Sequence, residues 1–282
     1  SLFRGDGEIW RGETVETVHD RLAGDPPTPA APASEELADR LDGASDDAIV
    51  LAAELAYIHL LVEDPETLDG GAKHGLVRSI LSLADQSPAI PDLMDMALDV
   101  GLAQPSDGSA ISRYWPVRYL AEFAHKWSRC PQPVRESLLD ETWAFRDFAF
   151  NLDTEKSLSQ RHALLHLLFP QTFEPIFSES AKQFIVRRFA EFADEAAANV
   201  DQQLIQVRSG LTQKLGHSFD SFYDDKIRWQ WQSDNWEALV EVADEVYAWE
   251  AFDERARQPA VTIAEELSEA RDQMLEGDSD YT

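Results

Sequence analysis

Two histidines, His162 and His166, stand four residues apart in RHALLHLL, a spacing that sets two imidazoles on one helical face and suits zinc. The hydrolytic form of that arrangement needs Glu directly after the first His, and position 163 is Ala. Histidines set among Leu and Phe more often satisfy a place in or beside a core, and His59, followed by Leu60 and Leu61, reads the same way. No residue is therefore assigned as a metal ligand. Asp224, Asp225 and Lys226 (YDDK) resemble the acid-x-Lys half of a magnesium-dependent nuclease. That chemistry wants its acids at strand ends around an upstream Asp. The available Asp92 follows Pro91 on a predicted helix elsewhere in the chain, so the rival reading is an aromatic connector anchored by Phe219, Phe222 and Tyr223, its acids solvated or capping the next helix.

A more promising cluster is RWQWQSDNW. Trp229, Trp231 and Trp236 offer faces for stacking a flipped or modified base, with Arg228 beside them for phosphate. Tryptophans also anchor lobe packing and protein interfaces, which is their commoner use. Lys182, Arg187 and Arg188 place positive charge on a helix of an otherwise acidic chain and are candidates to meet DNA or an acidic neighbour. Catalytic and cofactor-binding residues are absent from this reading. No Gly-x-x-x-x-Gly-Lys-Ser/Thr loop exists to cradle phosphates, and Lys214 in QKLGH lacks the preceding glycine frame. No Ser–His–Asp set has a nucleophile-elbow motif, and acids are too numerous for any pair to be singled out.

Charge narrows the partners. The chain has 53 acids against 24 bases, a net charge of −29. Proteins that grip duplex DNA usually do so with clustered Lys and Arg, which this chain lacks beyond short groups. Either the acidity solvates the protein in a salt-rich cytoplasm, where repulsion is screened, or it forms a surface for a basic partner. The single Cys130 cannot close an internal disulfide, no apolar run is long enough to span a membrane, and residues 1–21 lack the apolar core of a signal peptide. These features predict a cytoplasmic protein.

The elements that would position these residues are helices. Asp25–Ala33 (DPPTPAAPA) reads as a semi-rigid linker, making residues 1–33 a leader outside the globular body. Residues 34–152 form a first helical lobe, which includes 49–62, apolar on nearly every face. The polar stretch Asn151–Ser159 marks the boundary to a second lobe, 153–258, and residues 259–282 form a last helix. The centre is Arg161–Phe189. There a buried helix stops at Pro170, Phe173, Ile176 and Phe177 anchor a knuckle, and a second helix starts near Ser178 or Ser180. Gly216 stops a helix over Val200–Leu215. The predicted fold is all-α, a two-lobed irregular helical bundle.

Within that corner LLHLLFPQTFEPIFSESAKQFIVRRF (Leu164–Phe189) resembles a segment upstream of the motor in McrB-like AAA+ proteins, the NTPases of modification-dependent restriction systems. AIVLAAELAYIHLLV (Ala48–Val62), Gly101–Phe123, WAFRDF from Trp143, and FDSFYDDKIRW (Phe219–Trp229) fit the same pattern, so the resemblance runs from about residue 45 to 230. These are packing motifs, which identify a scaffold better than an activity. The resemblance implies a non-catalytic N-terminal adaptor or target-recognition region, without its own cofactor, ahead of a motor lying beyond Thr282. The whole protein would use GTP or ATP with magnesium. Its expected partners are its own AAA+ module and ring neighbours, a nuclease subunit, and foreign or modified DNA, with no membrane. The alternative function is an acidic protein-interaction scaffold that never contacts DNA.

Overall fold

The computed structural model describes residues 1–5, 9–23, 33–63, 68–100, 114–152, 154, 157–194 and 196–232; Ala33, Asp225, Lys226, Trp229 and Gln232 are described by backbone alone. Every regular element among the described residues is helical. In chain order they are α1 (Gly12–Leu22), α2 (Ala33–Leu41), α3 (Asp46–Leu60), α4 (Gly70–Leu81), α5 (Asp92–Ala97), α6 (Tyr114–Arg129), α7 (Gln132–Asp140) and α8 (Thr142–Phe150). They continue as α9 (Leu158–Leu168), α10 (Glu179–Arg188), a 3-10 turn at Ala190–Phe192, α11 (Val200–Leu215) and α12 (Asp225–Gln232). The all-α expectation holds. Contacts divide the chain into Ser1–Ala181 and a second unit from Lys182 onward, so α10 begins in one and continues in the other.

The first unit is built around α3. Its N-terminus is closed by Ser45, whose Oγ accepts from the Ala48 N–H. Along it Ala48–Tyr57, His59 and Leu60 are all buried, as an all-round apolar helix requires. α1, α4 and α6 pack against it. Glu54, fully enclosed, accepts hydrogen bonds from the Ser1 hydroxyl, the Phe3 N–H (3.0 Å) and the Trp10 indole N–H (2.7 Å). Residues 1–5 and 9–22 are thus part of the unit rather than a leader outside it. Phe3, Ile9, Val15, Val18 and Leu22 are buried in the same cluster as α3. The linker signal in residues 25–32 lies outside the described residues, and a covalent linker does not prevent the helix before it from docking.

The polar stretch after α8 is likewise not where the contacts part. Arg161, buried in α9, donates to the carbonyls of Phe150, Leu152 (3.1 Å) and Thr154 (2.6 Å), and its guanidinium lies over the Tyr119 ring. The first of those bonds supplies a partner for a carbonyl at the end of α8, and the three together tie Phe150, Leu152 and Thr154 to α9. The phenol of Tyr119, pushed well above its usual range by burial, donates to Ala149 O (3.2 Å). After α9, Phe173, Ile176 and Phe177 are buried in the expected knuckle, and Ser178 Oγ accepts from the Ala181 N–H at the start of α10.

In the second unit α11 begins at Asn199, whose side chain accepts from the Gln202 N–H (3.1 Å), and ends at Gly216. The φ of +75° at Gly216 is left-handed, which glycine adopts without a Cβ penalty. Gly210, on the same helix, lets the Phe192 ring approach closely: a Cβ there would stand 2.3 Å from Phe192 Cδ1.

Candidate functional site

The residues offered by the sequence for target contact fall in the second unit, and packing encloses two of them, Lys182 and Trp231. Lys182 is fully buried in α10, where its ammonium donates to Asp201 Oδ1 in the first turn of α11. It does not belong to an exposed basic face with Arg187 and Arg188. The correction follows from burial: a lysine inside the protein is held there by a carboxylate partner. Arg187 is exposed, its guanidinium carbon 5.5 Å from the Phe184 ring. Arg188 Nε donates to Gln230 O (2.6 Å).

Trp231 is a core side chain, 1 % exposed. Its indole N–H donates to Phe222 O (2.8 Å), and its ring meets Tyr223 edge-on at 5.2 Å. A ring so enclosed offers no face to a flipped base. Arg228 is half-buried on α12; the side chain of Trp229, and Trp236, lie outside the described residues. The aromatic connector is what FDSFYDD builds instead. Phe219 and Phe222 meet edge-on at 5.1 Å, and Arg208 lies over both while donating to Phe219 O (2.8 Å). Asp224 Oδ2 accepts from the N–H groups of Asp220 and Ser221, each at 3.2 Å, so that carboxylate closes its own turn. The histidines four apart diverge: His162 Nε2 lies 2.7 Å from Glu179 Oε2, and His166 Nδ1 donates to Phe173 O (2.7 Å).

The first unit carries a cluster that the sequence reading missed. α1 and α6 pack together and bring His19, Glu122 and His125 into one group, each offering a ligand atom within 4.8 Å of the others. His19 Nε2 lies 2.7 Å from Glu122 Oε2, and His19 Nδ1 lies 3.0 Å from Asp20 Oδ1. The His19 and His125 rings stack, centroids 3.9 Å apart and planes 15° from parallel. His125 is buried and its Nδ1 has no hydrogen-bond partner. Burial, then His19 and Arg129, push the His125 pKa below the usual histidine value, against the opposing pull of Glu122 and Glu16. The net direction favours the neutral ring. The signal in the sequence was Glu122-Phe-Ala-His125, whose i,i+3 spacing shares a helical face, but His19 is 103 residues from Glu122.

An apolar ridge is the other feature of the first unit. Leu93, Met96 and Val100, on and just after α5, are 80 %, 66 % and 70 % exposed, interleaved with Asp92, Asp95 and Asp99. Beside it an open cleft of about 470 Å³ is lined by Arg78, Leu81, Pro88, Ile90 and Asp95. Arg78 and Asp95 already pair with each other at 3.1 Å. Among the described residues, no helix is long and apolar enough to cross a membrane.

A scan against protein-family models, a search of curated proteins and a search of solved structures each return no match to this chain.

Proposed function

We propose that this chain is a non-catalytic helical adaptor of an McrB-like AAA+ restriction assembly, docking protein partners in the cytoplasm rather than reading DNA itself. The observation that supports this reading best is the use made of its cations. Lys182 is sealed against Asp201 and Arg188 donates to a backbone carbonyl, in a chain of net charge −29. Duplex binding draws its affinity from Lys and Arg that neutralise phosphates, and an acidic surface repels the same phosphates. The α5 ridge favours a protein occupant: apolar side chains set among acids suit a partner face with an apolar centre and a basic rim. The restriction setting rests on the resemblance of Leu164–Phe189 and its four companion segments, which also supplies the motor, the nuclease subunit and the nucleotide with magnesium as proposals for the whole protein.

The test is a binding assay between the purified chain and separately purified AAA+ module and nuclease subunit, at low and high salt. A complex with either one, weakened by salt and by the paired change Leu93→Asp/Met96→Asp, is expected. Failure to bind both would overturn the adaptor reading.

A further inference from the structure

We propose that His19, Glu122 and His125 form a binding site for a zinc-class divalent ion that clips α1 to α6. Two imidazoles and one carboxylate are nitrogen and oxygen donors of the kind zinc takes, and three protein ligands leave a fourth position for water. Zinc–ligand bonds of about 2.0–2.2 Å set tetrahedral ligand atoms roughly 3.3 Å apart. The three donor atoms already lie within 4.8 Å of one another, and His19 Nε2 and Glu122 Oε2 are at 2.7 Å, so side-chain rotation closes the triangle. The stacked rings must turn for their in-plane lone pairs to converge.

The neighbours are arranged as metal sites arrange them. Asp20 Oδ1, 3.0 Å from His19 Nδ1, holds the far side of that ring and leaves Nε2 to face the ion, the carboxylate–histidine–metal relay. Lys126 Nζ lies 3.7 Å from Glu122 Oε1, on the other oxygen from the one that faces His19. The side chains of His19 and Glu122 are 20 % and 13 % exposed, so an ion can enter from solvent. His125 supplies the independent observation: this buried member of the cluster has a ring nitrogen, Nδ1, with no hydrogen-bond partner, and in the tautomer that leaves its lone pair free a cation satisfies it. The ligands come from two helices, so occupancy would fix the N-terminal helix on the core. This inference does not depend on the adaptor reading.

Calorimetric titration of the chelator-treated full chain with Zn²⁺ alone tests it, with Co²⁺ alone as a spectroscopic probe. One equivalent bound, a rise in thermal midpoint, and the intense visible band of tetrahedral cobalt are expected. His125→Gln and Glu122→Gln should abolish that binding, Asp20→Asn should weaken it about 10- to 100-fold, and His217→Gln, at an exposed histidine, should change nothing. No saturable Zn²⁺ binding by the unaltered chain would overturn the proposal. So would binding unchanged in both ligand variants, or a Co²⁺ spectrum of an octahedral aquo type. If His125→Gln does not fold by circular dichroism, Glu122→Gln and the cobalt spectrum of the unaltered chain decide the matter.

Discussion

Lys182 and Asp201 form an ion pair that is closed to solvent, with Lys182 fully buried and Asp201 2 % exposed. Removing one partner strands the other charge in a low-dielectric interior, which costs about 3–5 kcal/mol, whereas replacing both with apolar residues of similar size is often neutral. Lys182→Met should therefore lower stability by about 3–5 kcal/mol, and Lys182→Met/Asp201→Leu should recover most of it. Urea unfolding of the three proteins measures this. A single variant as stable as the parent would show that the pair is solvated in solution.

Glu54 makes a second prediction. Its carboxylate is the shared acceptor of the Ser1 hydroxyl, the Phe3 N–H and the Trp10 indole N–H. Glu54→Leu orphans the buried Phe3 N–H, at about 1–3 kcal/mol, and the part-buried Ser1 and Trp10 donors, which water partly satisfies, at about 0.5–1 kcal/mol each. A loss of about 2–5 kcal/mol is therefore expected, with α1 exchanging its amide protons first. Hydrogen exchange read by mass spectrometry locates the effect. Uniform loss of protection across α1 to α9 would contradict the local tether.

Much of the helical frame was legible because it is written in local signals. Ser45 and Gly216 act as the caps their residue types suggest, and the apolar run 49–62 supplies residues 49–60 of the enclosed α3, its last two residues falling in the turn that follows. Tertiary pairing was not legible. Lys182 reads as surface charge until Asp201, nineteen residues on, is known to meet it. Residues 1–22 read as a leader because their anchor, Glu54, is an acid hidden inside an apolar helix. His19 and His125 belong to helices that sequence cannot juxtapose, so the metal-like cluster escaped while the local pair His162 and His166 drew notice and proved to have separate partners.

Gly210 gives a third test. An added Cβ would lie 2.3 Å from Cδ1, 2.4 Å from Cγ and 2.7 Å from Cβ of Phe192, too close for a ring-tip adjustment to relieve. Overpacking of this kind costs about 1–3 kcal/mol, set against a helix-propensity gain for Ala of about 1 kcal/mol. Gly210→Ala should lower the thermal midpoint, and adding Phe192→Ala should remove the clash part of the loss. A higher midpoint in the single variant would contradict the packing.

Salt dependence follows from charge. At net −29 the folded chain repels itself, and screening at high ionic strength reduces that cost. The thermal midpoint should rise steadily from low to molar KCl. A midpoint independent of salt would mean that opposite charges already offset the acids locally.

Duplex binding tests the adaptor role most directly. Fluorescence polarisation with short duplexes, unmodified and carrying methylated cytosine or adenine, should show no saturable binding to this chain at low or physiological salt. Modification-dependent binding that survives the higher salt would contradict the account and make the chain the target reader.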